Sequence, residues 1–353
     1  MTSLTACTEY VAEDIVPYPN GGRLSYSSVH DLILADRAID LVWRMVTYQP
    51  DGSGMVALNL THPDLPAYAH IGNPHWSPDG AHFLFQAATY VDHLGNTPGY
   101  STPGLGLACD IYCATYPGGV VTRLTDIVTG AAGVLHPHYN YDGTKVWWSR
   151  KQAGRAGRWF VETADIAYPG GVPTLSNRAF HLMLGDGLYE THGPSPDGNF
   201  WMLTHSIAGT STEPGLNLYR CSATDYYTGL VAVEGDNDDP DCWQEHGQFS
   251  LGNGWIFYMS SRGSPYDPWS NLQSDVWRIS NASPPTGIGI QMTRTIDPLD
   301  GTYQSDVPHP VCGDLAPRST EELLLYVFNG GPTAAEIAGL TTRQGKIVRV
   351  RCA

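Results

Sequence analysis

The sequence predicts an all-β protein, a six-bladed β-propeller of four-stranded antiparallel blades, on three observations. A hairpin unit with an Asp-Gly or Asn-Gly turn recurs along the chain. A strand, a Gly/Pro turn and a further strand follow each copy. The chain ends one strand short of a complete blade, while a spare β-competent segment stands at its beginning. The composition agrees: 39 glycines and 26 prolines in 353 residues supply many turns, and 20 tyrosines and 10 tryptophans suit pleated, half-buried surfaces.

The first unit reads NPHWSPDGAHFLFQA (73–87), HPHYNYDGTKVWWSR (136–150), THGPSPDGNFWMLTHS (191–206) and EHGQFSLGNGWIFYMSS (245–261), so Ser77, Asn140, Ser195 and Ser250 are equivalent at spacings of 63, 55 and 55 residues. Asp-Gly and Asn-Gly supply the positive φ that a tight hairpin needs. The second unit reads MVALNLT (55–61), DIYCATYPGGVVTRLT (110–125), NLYRCSATDYYTGLVAV (217–233) and DVWRISNASPPTGIGIQMT (275–293), with RWFVETADIAYPGGVPTL (158–175) a looser copy. Together they make meanders of propeller-blade size. One domain, 1–353, is expected, with blades near 20–64, 70–126, 134–178, 188–234, 244–294 and 305–352. The segment at 9–18 closes the last blade and abolishes two exposed edges. A seventh blade would have to come from residues 20–50, and TAAEIAGLTTR (333–343) reads as a short helix.

Charge limits the partners. Nineteen Lys and Arg against 35 Asp and Glu give a net charge of −16, which excludes nucleic acid and disfavours polyanionic polysaccharides away from a local basic cleft. No apolar run is long enough for a membrane-spanning helix. Seven cysteines form no CxxC pair. Cys109 and Cys113 would lie roughly 13 Å apart on one strand face, beyond disulfide reach. Cys7 is expected near Cys352 or Cys312. Two sequons, at Asn59 and Asn281, and low lysine content favour an extracellular or periplasmic protein whose signal peptide was removed before the numbering begins.

The pattern Trp76–Gly80 with Phe83 and Phe85, followed by Asp110–Tyr112 and Gly118–Thr125, resembles the TolB-like (PD40, WD40-like) propeller repeat over roughly residues 70–290. That resemblance specifies fold more than function, because it spans periplasmic scaffolds, peptidase propellers and oligogalacturonate lyase. In propellers the first strand of each blade lines the central channel. His75, His136, His138, Glu190, His192, Glu245, His246 and His309 stand just before the turns. The resemblance to oligogalacturonate lyases implies histidines and a glutamine around a divalent metal. WQEHGQFS resembles that segment, with His246 and Gln248 where two histidines would stand.

Imidazoles on a rigid ring suit a transition metal, and the candidate ligands are His138, His192, His246 and His309. The competing reading is a solvated polar lining. Relative to the aligned turn residue, His75 and His138 stand at −2, His192 at −3 and His246 at −4, and an odd change flips the strand face. The loop EGDNDDPDC (234–242) offers Asp236, Asp238, Asp239 and Asp241 as oxygen ligands for calcium. A lyase would use His192 or His246 as base with Arg150 or Arg262 as cation, the two arginines following equivalent strand runs. No G-x-S-x-G elbow occurs. Most tryptophans fall inside β-runs and read as core, whereas Tyr226, Tyr227, Tyr266 and Trp269 fall in loops and suit a contact surface. The leading expectation is an extracytoplasmic, non-catalytic binding or scaffold protein, a subunit of a larger assembly, with a protein or carbohydrate partner. The alternative is a metal-dependent polysaccharide lyase at the channel mouth.

Overall fold

The structure, a computed structural model, describes residues 7–16, 24–39, 42–50, 53–66, 69–88, 106, 108–127, 132–152, 159–181, 187–206, 216–224, 230–234, 242–262, 274–282, 287, 289–293, 310–317, 322–329 and 343–351. Its strands in chain order are β1 (Cys7–Val16), β2 (Leu24–Ser27), β3 (Leu32–Ile39), β4 (Val42–Tyr48), β5 (Val56–Ala57), β6 (Ile71–Trp76), β7 (His82–Ala88), β8 (Cys109–Thr115) and β9 (Val121–Arg123). Then come β10 (Gly133–Tyr139), β11 (Lys145–Lys151), β12 (Trp159–Ala167), β13 (Thr174–His181), β14 (Tyr189–Pro194), β15 (Phe200–Ser206), β16 (Leu216–Ser222) and β17 (Val231–Ala232). The last are β18 (Gln244–Phe249), β19 (Trp255–Ser260), β20 (Asp275–Ser280), β21 (Ile290–Gln291), β22 (Pro310–Pro317), β23 (Glu322–Asn329) and β24 (Arg343–Arg351).

These strands form a β-propeller of four-stranded antiparallel sheets. Five sheets are simple meanders, β2–β5, β6–β9, β10–β13, β14–β17 and β18–β21. In a further sheet, ordered β1-β24-β23-β22, the N-terminal strand pairs antiparallel with β24, which is the closure the sequence predicts. The first strands touch in sequence, β2 to β6, β10, β14, β18 and β22, and β22 returns to β2. Residues 20–50 hold the first three strands of the first meander, so they contribute no additional blade. Within the closing sheet β24 and β23 separate β1 from β22, and Cys7 is in register with Glu322 of β23 whereas Cys312 faces Val327 further along it, so the two backbones lie roughly 20 Å apart, too far for a disulfide. Cys352 and residues 333–342 of the expected helix lie outside the described residues. No helix among those described is long and apolar enough to cross a membrane.

The turn motif works as local chemistry. Ser77 Oγ donates to Asp79 and accepts from the His82 amide, while the Gly80 amide returns to the Ser77 carbonyl. Ser195, Asp197, Phe200 and Gly198 repeat these contacts. The fourth turn residue takes positive φ in each case: Gly80 (+69°), Gly143 (+73°), Gly198 (+73°) and Asn253 (+56°). In SLGNG the left-handed residue is thus Asn253 rather than a glycine, since asparagine tolerates that region. The first meander carries a variant, Ser28-Val29-His30-Asp31, with Asp31 at +49°.

The D-I-Y and R-L-T signature has an equally local cause. Buried Asp110 accepts from Thr125 Oγ1 (2.6 Å), the Ile127 amide (2.8 Å) and Arg123 (2.6 Å), and Thr125 Oγ1 also accepts from the Ile111 amide (2.9 Å). Asp275, Thr293, Gln291 and the Val276 amide repeat the arrangement. This clasp ties the start of a sheet's third strand to the end of its fourth. Apolar residues of neighbouring sheets merge into continuous cores, in which Trp147 and Trp201 pack 3.9 Å apart and are buried, as are Trp148, Tyr189 and Trp277. The half-buried rings of Trp243 and Trp255 lie outside that set.

Candidate binding site in the channel

The first strands of four successive meanders each break register at a β-bulge: between Gly72 and His75, Leu135 and His138, Thr191 and Pro194, and Glu245 and Gln248. Asn73, His136 and His246 there take φ of +54°, +53° and +54°. A non-glycine residue held so costs about 1–3 kcal/mol and persists only where its surroundings over-determine it. Two of these residues, Asn73 and His136, and the bulge of β14 are tied to the preceding sheet's second strand. Asp36 accepts from the Asn73 amide (2.9 Å), Gln86 from the His136 amide (3.1 Å) and Ser149 from the Thr191 amide (3.0 Å).

These bulges bring three imidazoles together. Ring centroids of His136, His192 and His246 are separated by 6.0 Å (136–192), 6.4 Å (136–246) and 5.8 Å (192–246), and all three side chains are buried. His192 Nε2 meets Thr204 Oγ1 at 2.8 Å, and His246 Nε2 lies 3.5 Å from a Glu245 carboxylate oxygen. Glu190, directly across the ladder from Thr204, carries a buried Oε2 with no hydrogen-bond partner among the described residues. The bulge of β14 sits one residue later than the others, which is why His192 at −3 reaches the residues at −4.

His138 stands past its bulge. Its Nε2 donates to the Thr191 carbonyl (3.1 Å) and its ring lies 4.6 Å from His75, whose Nδ1 accepts from the Tyr139 amide at 3.3 Å. The structure therefore puts His136 where the sequence pattern suggested His138. The alternation of strand faces gave no warning of this, because a bulge resets the alternation. Gln248 packs on Gly193, where a Cβ would clash with it. His309, Tyr226, Tyr227, Tyr266, Trp269, Asp236, Asp238, Asp239 and Asp241 lie outside the described residues.

Arg150 and Arg262 occupy different positions. Arg150 lies in β11 and reaches buried Glu162 (3.2 Å), which also binds Arg178 (2.6 Å). Arg262 lies two residues beyond β19, so the two are not register equivalents, and it pairs with Glu234 at 2.7 Å. Buried Glu234 also accepts from Gln244 (2.5 Å), Tyr258 and the Gly289 amide (2.8 Å). That carboxylate is saturated from inside the fold, and burial followed by its charge pushes the Tyr258 hydroxyl far above its usual range.

A metal shared by three imidazoles at about 2.0–2.1 Å per nitrogen would hold their centroids roughly 5–5.5 Å apart. The observed separations of 5.8–6.4 Å are wider, and no group of three or more His, Cys, Asp or Glu among the described residues fits a metal ion.

No family model and no curated protein sequence matches the chain. Solved structures do. TolB from Acinetobacter baumannii is similar at a TM-score of 0.50 and 14% identity, over 92% of this chain and 63% of its own. An oligogalacturonate lyase in complex with manganese is similar at 0.49 and 9%, over 99% and 98% of the two chains. A puromycin hydrolase is similar at 0.48 and 13%, over 93% of this chain and 44% of its own. The chain thus spans under two thirds of that TolB. The fold is the TolB-like β-propeller that the repeat predicts.

Proposed function

We propose that this chain is an extracytoplasmic, single-domain binding propeller that holds its ligand or partner in the central channel, at His136, His192 and His246. The observation carrying this reading is the convergence of three buried imidazoles at β-bulges beside Glu245, two of them, His136 and His246, at positive φ. Strain retained at several equivalent positions is characteristic of sites rather than of filler. A six-bladed ring is part of the proposal, with β1 completing the last blade; the order of first-strand contacts supports it. Binding without turnover is favoured because the two candidate cations, Arg150 and Arg262, are engaged by buried Glu162 and Glu234. The extracytoplasmic assignment rests on composition alone. Calcium on Asp236, Asp238, Asp239 and Asp241 would be an accessory structural site.

The competing reading is a metal-dependent uronate lyase, in which the three imidazoles close on one ion. Metal analysis of the purified protein with incubation on uronate polymers separates the two. No stoichiometric transition metal and no unsaturated sugar product are expected. A bound metal lost in His246→Ala, with unsaturated product released by the unaltered protein, would replace the binding reading with the lyase.

A further inference from the structure

We propose that the rim formed by the inner hairpin turns is a docking surface for a cationic peptide segment carrying apolar side chains. The second residue of each turn is apolar and exposed in five consecutive meanders: Val29 (57%), Pro78, Tyr141 (49%), Pro196 and Leu251 (48%). Single exposed apolar residues need no explanation, but a contiguous set does.

Contiguity follows from how the turns lean on one another. Val29 packs at Gly80, whose carbonyl oxygen meets His30 Nε2 at 2.9 Å. A Cβ at Gly143 would touch the Pro78 ring at 3.2 Å, and Gly198 lies under the Tyr141 ring. Asn253 then donates to Asp197. Each turn thus rests on the next, and the apolar residues form an arc around one mouth of the channel. The rim stands four residues from the bulges, about 13 Å along the strand from the imidazole cluster.

Charge selects the occupant. Beside each of the first four apolar residues stands an exposed carboxylate: Asp31, Asp79, Asp142 and Asp197. Burial pushes the last three upward, but hydrogen bonds from their own turns outweigh it and hold them below the usual carboxylate range, so the rim stays anionic. Lys145, at the end of one turn, is tied to Asp165. A second copy of this chain would bring the same carboxylates and a net charge of −16 against them, so self-association is disfavoured. A segment alternating basic and apolar side chains satisfies both features at once.

The test uses a short labelled peptide alternating lysine and leucine, followed by fluorescence anisotropy at about 0.15 M salt, where the protein's diffuse field is screened beyond about 8 Å. Saturable binding is expected, at least tenfold weaker for Tyr141→Ser/Leu251→Ser and unchanged for Phe180→Ser on the outer strand β13. Asp79→Asn/Asp142→Asn keeps the turn acceptors while removing charge, and should weaken binding similarly at unchanged thermal stability. Equal affinity of all variants would overturn the proposal, as would equal binding of a lysine–serine peptide. Sedimentation showing a dimer that Tyr141→Ser/Leu251→Ser abolishes would overturn it too, by making the rim a self-contact.

Discussion

His205 offers the sharpest test of the packing described above. It sits on β15 at 5% exposure, with its ring 4.4 Å from Tyr189 and its Nε2 buried without a hydrogen-bond partner among the described residues. Burial pushes its pKa down from 6.5 to about 4. The unfolded chain binds a proton near the ordinary value that the folded protein refuses, so this residue costs stability as pH falls through 6.5 and stops costing more below about 4. Between those limits the loss is about 1.4 kcal/mol per pH unit, or about 2.5 kcal/mol by pH 4.5. His205→Phe keeps a planar ring, removes the titration and leaves no orphaned nitrogen. Urea unfolding at about pH 7.5 and 4.5 gives the double difference between the two proteins, in which all other titrating groups cancel. The variant should lie near the unaltered protein at the higher pH and gain about 2.5 kcal/mol on it at the lower. A gap independent of pH would refute the neutral, buried imidazole.

Other outcomes follow from the same contacts. Asp110→Ala strands Thr125, the Ile127 amide and Arg123, and should cost about 3 kcal/mol, somewhat below the loss for a fully buried pair because Arg123 reaches solvent. Asp275→Ala, whose clasp has Gln291 in place of an arginine, should cost less; chemical denaturation compares the two. Gly198→Ala adds a side chain at positive φ against the Tyr141 ring and should cost about 2 kcal/mol or more, partly recovered by Tyr141→Ala, as read by melting temperature. Burial holds the thiols of Cys113 at about 11 and Cys221 at about 12 and pushes Cys109 higher still. Mass-spectrometric mapping after native alkylation should find all three, and buried Cys242, unlabelled until the protein is unfolded.

The repeat, the turn chemistry and the return of the N-terminal strand were legible in the amino-acid string, and so was the D-I-Y and R-L-T signature, though the clasp it makes was not read from it. Each is set by contacts a few residues apart or by a period that repeats along the chain. Ser77 to His82 and Asp110 to Thr125 need no distant partner to be understood. The first meander was the exception. Ser28-Val29-His30-Asp31 puts an aspartate where the other turns carry Gly or Asn, so the turn signal was muted there.

The composition of the channel cluster was beyond the sequence. Which imidazoles meet depends on where each first strand bulges: the bulge one residue later in β14 brings His192 to His246, and the bulge of β10 leaves His138 past it, beside His75. Each bulge is tied to a side chain of the neighbouring sheet, Gln86 on the His136 amide of β10 and Ser149 on the Thr191 amide of β14. These partners lie roughly fifty residues away in the chain and are brought close only by the packing of consecutive sheets. Local alternation specifies a strand; the tertiary ring decides which of its residues faces the axis.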